Sequence, residues 1–218
     1  MKIIKELYDY REMISNLVKK DLKVRYKGSV LGFLWTFLNP LLQLVVYTIV
    51  FSTIMRVDID KYYIYLFVGL IPWIFFASSI QVGAVSIMMN KDLIKKIYFP
   101  RIILPIVTTN SAFMNMFYSM IVVLLIVLVS GIGFSKYVLL LPIVMIVQYI
   151  LVLGMTFIFS ALNVFFRDLE YILNIIVMMW FYLTPIVYNI EMIPEKFRFW
   201  FYLNPMTGII NFYRNILY

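Results

Sequence analysis

The chain has no cysteine and no histidine in its 218 residues. The first absence removes disulfides, thiol nucleophiles and thiolate metal sites. The second removes the commonest general base and the commonest metal ligand. Charge is scarce too: Asp, Glu, Lys and Arg make up 14% of the chain, where soluble domains carry about a quarter. No GxxxxGK[ST] loop occurs, so the chain lacks that phosphate cradle and is not expected to hydrolyse ATP itself. The acidic residues lie in the first 21 positions and in loops: Glu6, Asp9, Glu12, Asp21, Asp58, Asp60, Asp92, Asp168, Glu170, Glu191 and Glu195. No pair among them has metal-ligand spacing, and nothing assembles a base, a nucleophile or a metal site.

What the chain has instead is length without charge. Five charge-free stretches run over residues 31–55, 62–90, 102–135, 137–166 and 171–190. A bilayer span takes about 20 mostly apolar residues at a rise of roughly 1.5 Å each. Transmembrane β-strands would alternate apolar and polar residues in segments of about ten, and these stretches do not alternate. The composition, 64% hydrophobic with a mean hydropathy of +0.94, therefore predicts an all-α membrane protein. The expected organisation is one transmembrane domain over 1–218. It has an amphipathic interface segment at 1–30, five spans within 31–190, and outer re-entrant helices at 191–218.

The net charge of +8 serves orientation rather than nucleic acid. Residues 1–30 carry eight Lys or Arg, the loop at 91–101 four, and the turn at 167–170 one. The three loops on the other side hold five: Arg56 and Lys61, Lys136, then Lys196 and Arg198. Thirteen against five places the N-terminus in the cytosol, with contact to anionic membrane lipid. Within the first segment Ile3, Leu7, Tyr10, Ile14, Leu17 and Val18 share one helical face, interrupted by Arg11 and Asp21. Such a helix is expected on the cytosolic surface with its apolar side in the headgroup boundary, as an anchor or as a docking platform.

Local signals punctuate the spans. Gly28 and Gly32 suit a bend where the surface helix turns into the membrane. Pro40 predicts a kink or a helix start, and Pro72 a distortion near mid-span. In NKDLIKKIYFPR, Asn90 is a candidate N-cap and Pro100 a stop, giving a short basic helix. That helix is either a retention signal or a lever gripped from the cytosol. Arg167 and Asp168 can pair at the next cytosolic turn. Prolines 185, 194 and 205 are too close together for a straight span. A short helix from Pro194 is expected to lay Phe197, Trp200 and Phe201 at the outer interface. Residues 206–218, with Arg214, are too short to cross. The span interiors hold amides (Gln43, Gln81, Asn110, Asn115, Gln148, Asn163 and Asn174) but no ionisable relay. Uphill transport would need energy from another subunit.

Taken together, DLKVRYKGSVLGFLWTFLNPLL, LIKKIYFPR, FFRDLEYIL, TPIVYNIEMIP and LNPMTGIINFYRNIL, in that order, resemble the permease subunits of type-two ABC exporters, in the polysaccharide-export branch. The resemblance implies two permease copies forming the pore as a homodimer, and two separate ATPase subunits that hold ATP and Mg. Its cargo would be a lipid-linked glycan, such as O-antigen, teichoic acid or capsule, crossing a bacterial plasma (inner) membrane. It assigns Arg25, Tyr26, Ser29, Gly32, Trp35 and Pro40 to the cytosolic mouth. Leu93, Lys95, Lys96, Tyr98, Phe99, Pro100 and Arg101 would couple to the ATPase, and Arg167 and Asp168 would form a cytosolic turn. Pro185, Tyr188, Pro194, Asn204 and Pro205 would belong to an outer gate before a sixth span that this chain is expected to lack. Apart from the resemblance, Trp73 and Trp180 sit near mid-span with Tyr47, Phe51, Phe75, Phe76, Phe181 and Tyr182; these rings, with Tyr47, Phe51, Trp73, Phe76, Trp180 and Tyr182 as the candidate channel lining, either stack on sugar faces or simply pack. Competing readings are a membrane enzyme of lipid-linked glycan assembly, an ABC permease for a drug or simple lipid, and an ion-coupled transporter.

Overall fold

Lipid offers a peptide group no partner, so a segment inside it closes its own hydrogen bonds as a helix. The computed structural model describes residues 2–25, 27–133 and 136–218. Its elements are helical, with no strand among the described residues. In chain order they are α1 (Lys2–Asp9), α2 (Arg11–Arg25), α3 (Trp35–Thr48), α4 (Tyr62–Met89) and α5 (Lys91–Lys96). There follow α6 (Ile103–Val129), α7 (Leu141–Phe165), α8 (Leu169–Tyr182), α9 (Glu195–Tyr202) and α10 (Pro205–Leu217). Short 3-10 turns precede α3 and α7, and a π-helical turn, Ile49–Ile54, extends α3.

Four helical stretches among the described residues are long and apolar enough to cross a bilayer: Gly32–Ile54, Tyr62–Lys96, Ile103–Val129 and Lys136–Phe165. The fifth charge-free run behaves differently. Only α8, 14 residues long, is helical there, about 21 Å at the usual rise. The chain then folds into turns across Leu183–Tyr188 around Pro185.

α4 is the axis of the bundle. It packs against α3, α6, α7, α8 and α10. Its apolar window is 78% buried, against 11% for the first span. Pro72 within it lacks the N–H that would bond the Val68 carbonyl. The Pro72 carbonyl accepts from Gln148 Nε2 of α7 at 2.8 Å, and Gln148 Oε1 accepts from the Tyr213 hydroxyl of α10 at 2.9 Å. Three helices are tied at one buried amide.

Pro40 neither starts nor ends a helix. It lies buried inside α3, where it leaves the Thr36 carbonyl without its usual donor. Ser119 Oγ of α6 donates to that carbonyl at 3.4 Å. The bend expected at Gly28 and Gly32 is present: both take left-handed backbone, φ +83° and +48°, which side-chain-bearing residues rarely adopt.

α4 and α7 cross tightly at Gly83. A Cβ on Gly83 would lie 2.2 Å from Thr156 Cγ2, while the Thr156 Cβ and Thr108 Oγ1 would stand clear at 3.5 and 3.6 Å. We predict that Gly83→Ala lowers stability by about 1–3 kcal/mol through overpacking. Adding Thr156→Ser, which removes only the colliding methyl, should restore most of it. Thermal unfolding of the detergent-solubilised variants checks both; a double variant no more stable than Gly83→Ala alone contradicts this account of the crossing.

Candidate functional site

Two open clefts flank α3. One, of about 460 Å³, lies towards α6 and is lined by Ser29, Trp35, Thr36, Asn39, Ser78 and Asn115 among others. The other, also about 460 Å³, opens between α3, α4 and α8. Asn39, Ile74 and Ser78 border both. The second cleft gathers the amides Asn39, Gln43, Gln81 and Asn174 with the rings of Tyr47, Trp73, Phe181 and Tyr182, and no charged residue lines it. Amides hydrogen-bond hydroxyl groups without holding them by charge, and aromatic faces accept the C–H faces of a ring.

Phe181 organises these rings. Tyr47 stacks on it at 5.5 Å, Trp73 meets it edge-on at 5.7 Å and Tyr182 at 5.3 Å. Phe51 touches Tyr47 at 6.4 Å. Phe76 packs between Trp73 and Trp180, at 5.2 and 5.1 Å, with no exposed surface. It backs the cleft rather than lining it. Trp180 faces away, into a separate pocket with Trp200, Phe201 and Asn204. Of the expected rings, Tyr47, Trp73, Phe181 and Tyr182 therefore share this cleft, and Phe75 lines the other.

At the mouth residues, Trp35 Nε1 donates to Ser29 Oγ at 2.9 Å. Gly32 lies in the 3-10 turn leading into α3, and Pro40 is buried. The Arg25 side chain and Tyr26 lie outside the described residues.

At the basic end, only Lys91–Lys96 is helical. The helix ends four residues before Pro100, because Ile97 is already extended (φ −137°, ψ 137°). Asn90 does not cap it; its Nδ2 donates back to the Ser86 carbonyl. The seven residues of this loop divide sharply. Lys95, Lys96, Tyr98 and Arg101 are exposed, Tyr98 to 91%, whereas Phe99 is buried and Leu93 and Pro100 half-buried. Phe99 joins Ile103, Leu104 and Val107 of α6 in a small core on which Leu7, Tyr10, Met13, Ile14, Leu17 and Val18 pack. This corrects the expected placement of the N-terminal face: its apolar stripe is spent on the protein rather than on lipid headgroups. Arg11, which seemed to intrude on that stripe, is exposed, with its guanidinium 4.4 Å from the Tyr8 ring and Nη1 donating to the Tyr8 carbonyl. Arg167 and Asp168 are both exposed at the α7–α8 turn, and no ion pair joins them.

The opposite end holds Pro185, buried, and Tyr188, whose hydroxyl donates to the Tyr182 carbonyl. Asn204 caps α10, accepting from the Met206 N–H, and also donates to the Leu183 carbonyl and Thr184 Oγ1. Pro205 is the first residue of α10, and Pro194 stands just before α9 rather than within its first turn.

Residues 12–218 match the family described as ABC-2 type transporter. The chain belongs to that family. Among its relatives, an O-antigen export system permease protein RfbA of Myxococcus xanthus is 38% identical, over all of this chain and 85% of that protein. A protein of the same description from Klebsiella pneumoniae is 40% identical over 96% of this chain and 80% of its own length.

In this ABC-2 type transporter chain the sequence concealed one residue, Arg214. It stands in a stretch too short to span, yet it is 7% exposed. Its guanidinium lies 3.6 Å from the Tyr65 ring centroid, and Nη1 and Nη2 donate to the carbonyls of Pro185 and Ile186 at 2.6 and 2.7 Å. Main-chain acceptors leave no mark in a sequence. Among the described residues, no group of three or more metal-ligating side chains comes together.

We predict that Ile14→Asp or Leu17→Asp, placing a carboxylate against Phe99 and Ile103, releases α1–α2. Limited proteolysis should then cut within residues 1–25 at least about tenfold faster, reflecting loss of one half-buried apolar side chain, worth up to ~1.5–3 kcal/mol. Unchanged cleavage contradicts the packing described.

Proposed function

We propose that the chain is the membrane-spanning permease subunit of an ATP-driven exporter that carries lipid-linked polysaccharide out of the cytosol across a bacterial plasma membrane. The observation that carries this reading is the full-length likeness to proteins described as O-antigen export permeases. The uncharged amide and aromatic cleft supports it. A sugar chain sliding past needs many weak contacts and no strong one, and that lining supplies them.

On this reading the basic end faces the cytosol, and the working unit is a homodimer with two nucleotide-binding subunits that hold ATP and Mg. The first span supports a second copy: α3 and the π-helical turn after it leave Leu42, Val45, Val46 and Ile49 more than half exposed. Residues 31–190 supply the spans, with α8 completing a fifth crossing together with the turn after it. Residues 191–218 form the outer gate region. α9 lies at the outer interface and exposes Phe199, Trp200 and Tyr202. Residues 1–30 and the loop at 91–101 receive the ATPase stroke. Phe99 and Leu93 fasten the loop to α6 and α2, and Lys95, Lys96, Tyr98 and Arg101 meet the partner. Arg25, Tyr26, Ser29, Gly32, Trp35 and Pro40 frame the cytosolic mouth, with Arg167 and Asp168 at the turn beside it. The pathway runs by Tyr47, Phe51, Trp73 and Tyr182, backed by Phe76 and Trp180.

Reconstitution tests the engine. The permease with its ATPase subunits should move lipid-linked glycan across proteoliposomes on ATP addition, and the permease alone should not. Uphill movement by the permease alone overturns the reading. Tyr98→Ala should leave the fold unaltered, since that ring touches solvent, yet weaken ATPase binding about tenfold or more, as loss of an interface aromatic does.

A second measurement tests the pathway. Tyr47→Leu with Tyr182→Leu should preserve ATPase assembly while slowing export severalfold, at about 0.5–1.5 kcal/mol per lost ring contact. Export at the parental rate excludes stacking at this cleft.

A further inference from the structure

The turn after α8 is held in an unusual way. Its residues are outside any helix, so their carbonyls have no ladder partners of their own. Four successive carbonyls, 185 to 188, are each taken by a side chain from elsewhere. Arg214 takes Pro185 and Ile186; Tyr62 takes Val187 at 2.7 Å; Tyr65 takes Tyr188 at 2.9 Å. The tyrosines belong to the rigid axis α4, and the arginine to α10. α4 has made room for the guanidinium: a Cβ on Gly69 would sit 3.1 Å from Nη2.

The arginine is buried with two main-chain carbonyls and a ring face, and no carboxylate, among its partners. A guanidinium carries five N–H donors, and removing it from water is costly unless they are met. Two carbonyls and one ring face hold this one in place, and water or another acceptor could satisfy it equally well. A static anchor would gain more from a carboxylate or an apolar contact; a buried cation without a counter-ion is costly to keep and suits a contact that is made and broken.

The turn also continues directly from the wall of the cleft. Tyr182 lines the cleft, and Leu183 and Thr184 follow it, bonded to Asn204 at the start of α10. Where the turn sits decides where that end of α8 sits.

We propose that Arg214 is the pin of a latch, completed by Tyr62 and Tyr65, that holds the turn after α8, at the outer end of the α3–α4–α8 cleft, in its resting place and lets go in each transport cycle. The proposal rests on the export reading for its cycle, but the resting contact stands independently of cargo and of ATP.

The absence of cysteine makes the test direct. Ile186, with no exposed surface, is replaced by cysteine in the complete transporter, permease and ATPase subunits together, in sealed membranes. A membrane-impermeant maleimide is applied from the outer side. The expected result is slow labelling at rest and fast labelling when ATP is trapped by a non-hydrolysing ATPase variant. Arg214→Gln should give fast labelling with or without nucleotide. The rise should be at least about tenfold, as when a minor state of a few per cent becomes dominant. Tyr62→Phe and Tyr65→Phe each remove one hydroxyl and little volume, and should give smaller increases; they keep the test decisive if Arg214→Gln does not assemble.

Labelling in all three variants as slow as in the parent overturns the latch. So does a parent that labels rapidly at rest, or one that ATP trapping leaves protected although the same complex transports on reconstitution. Failure of the export reading looks different: reconstituted transport is absent and the nucleotide arm is silent, while the variants still label faster than the parent.

Discussion

A buried peptide group in lipid has nowhere to turn but the protein, and this constraint shapes the chain at every scale. It makes the charge-free runs helical. It also makes each interruption of a helix an obligation to be met by a neighbour. Pro40 leaves the Thr36 carbonyl open, and Ser119 arrives from α6. Beside Pro72, Gln148 bonds the proline carbonyl and is itself held by Tyr213. The turn past α8 leaves four carbonyls open, and Arg214, Tyr62 and Tyr65 close on them. Between helices with little hydrophobic drive to associate inside lipid, these polar contacts are where one element specifies the position of another.

That distribution explains what could be read from the chain beforehand. Four helices long enough to cross were legible because lipid tolerates so little charge that long charge-free runs mark them. The family resemblance was legible because its motifs fall in order along the whole length, and residues 12–218 match the family. The fifth charge-free run was less so: lack of charge over 171–190 says nothing about where a helix ends, and α8 ends at Tyr182. Helical periodicity revealed the stripe from Leu7 to Val18 but not its partner, because a stripe looks alike whether it meets lipid or the Phe99 core.

The cleft was legible in kind rather than in detail. Aromatic residues at mid-span were visible, but Trp73 and Trp180, alike in the sequence, point to different pockets. The hub, Phe181, differs from its neighbours only by facing inward. Arg214 was hidden for a more general reason. Its acceptors are carbonyls 28 and 29 positions away, and every residue has a carbonyl.

The crossing at Gly83 has a mechanical consequence. With the backbone of α4 against the Thr156 side chain, α4 and α7 have no slack between them, and α4 also packs extensively on α6. Those three helices form a stator. α3 is barely embedded, and α8 exposes most of its surface. Any displacement large enough to admit a bulky solute must therefore be borne by these two loosely seated helices, sliding over a frame that stays still.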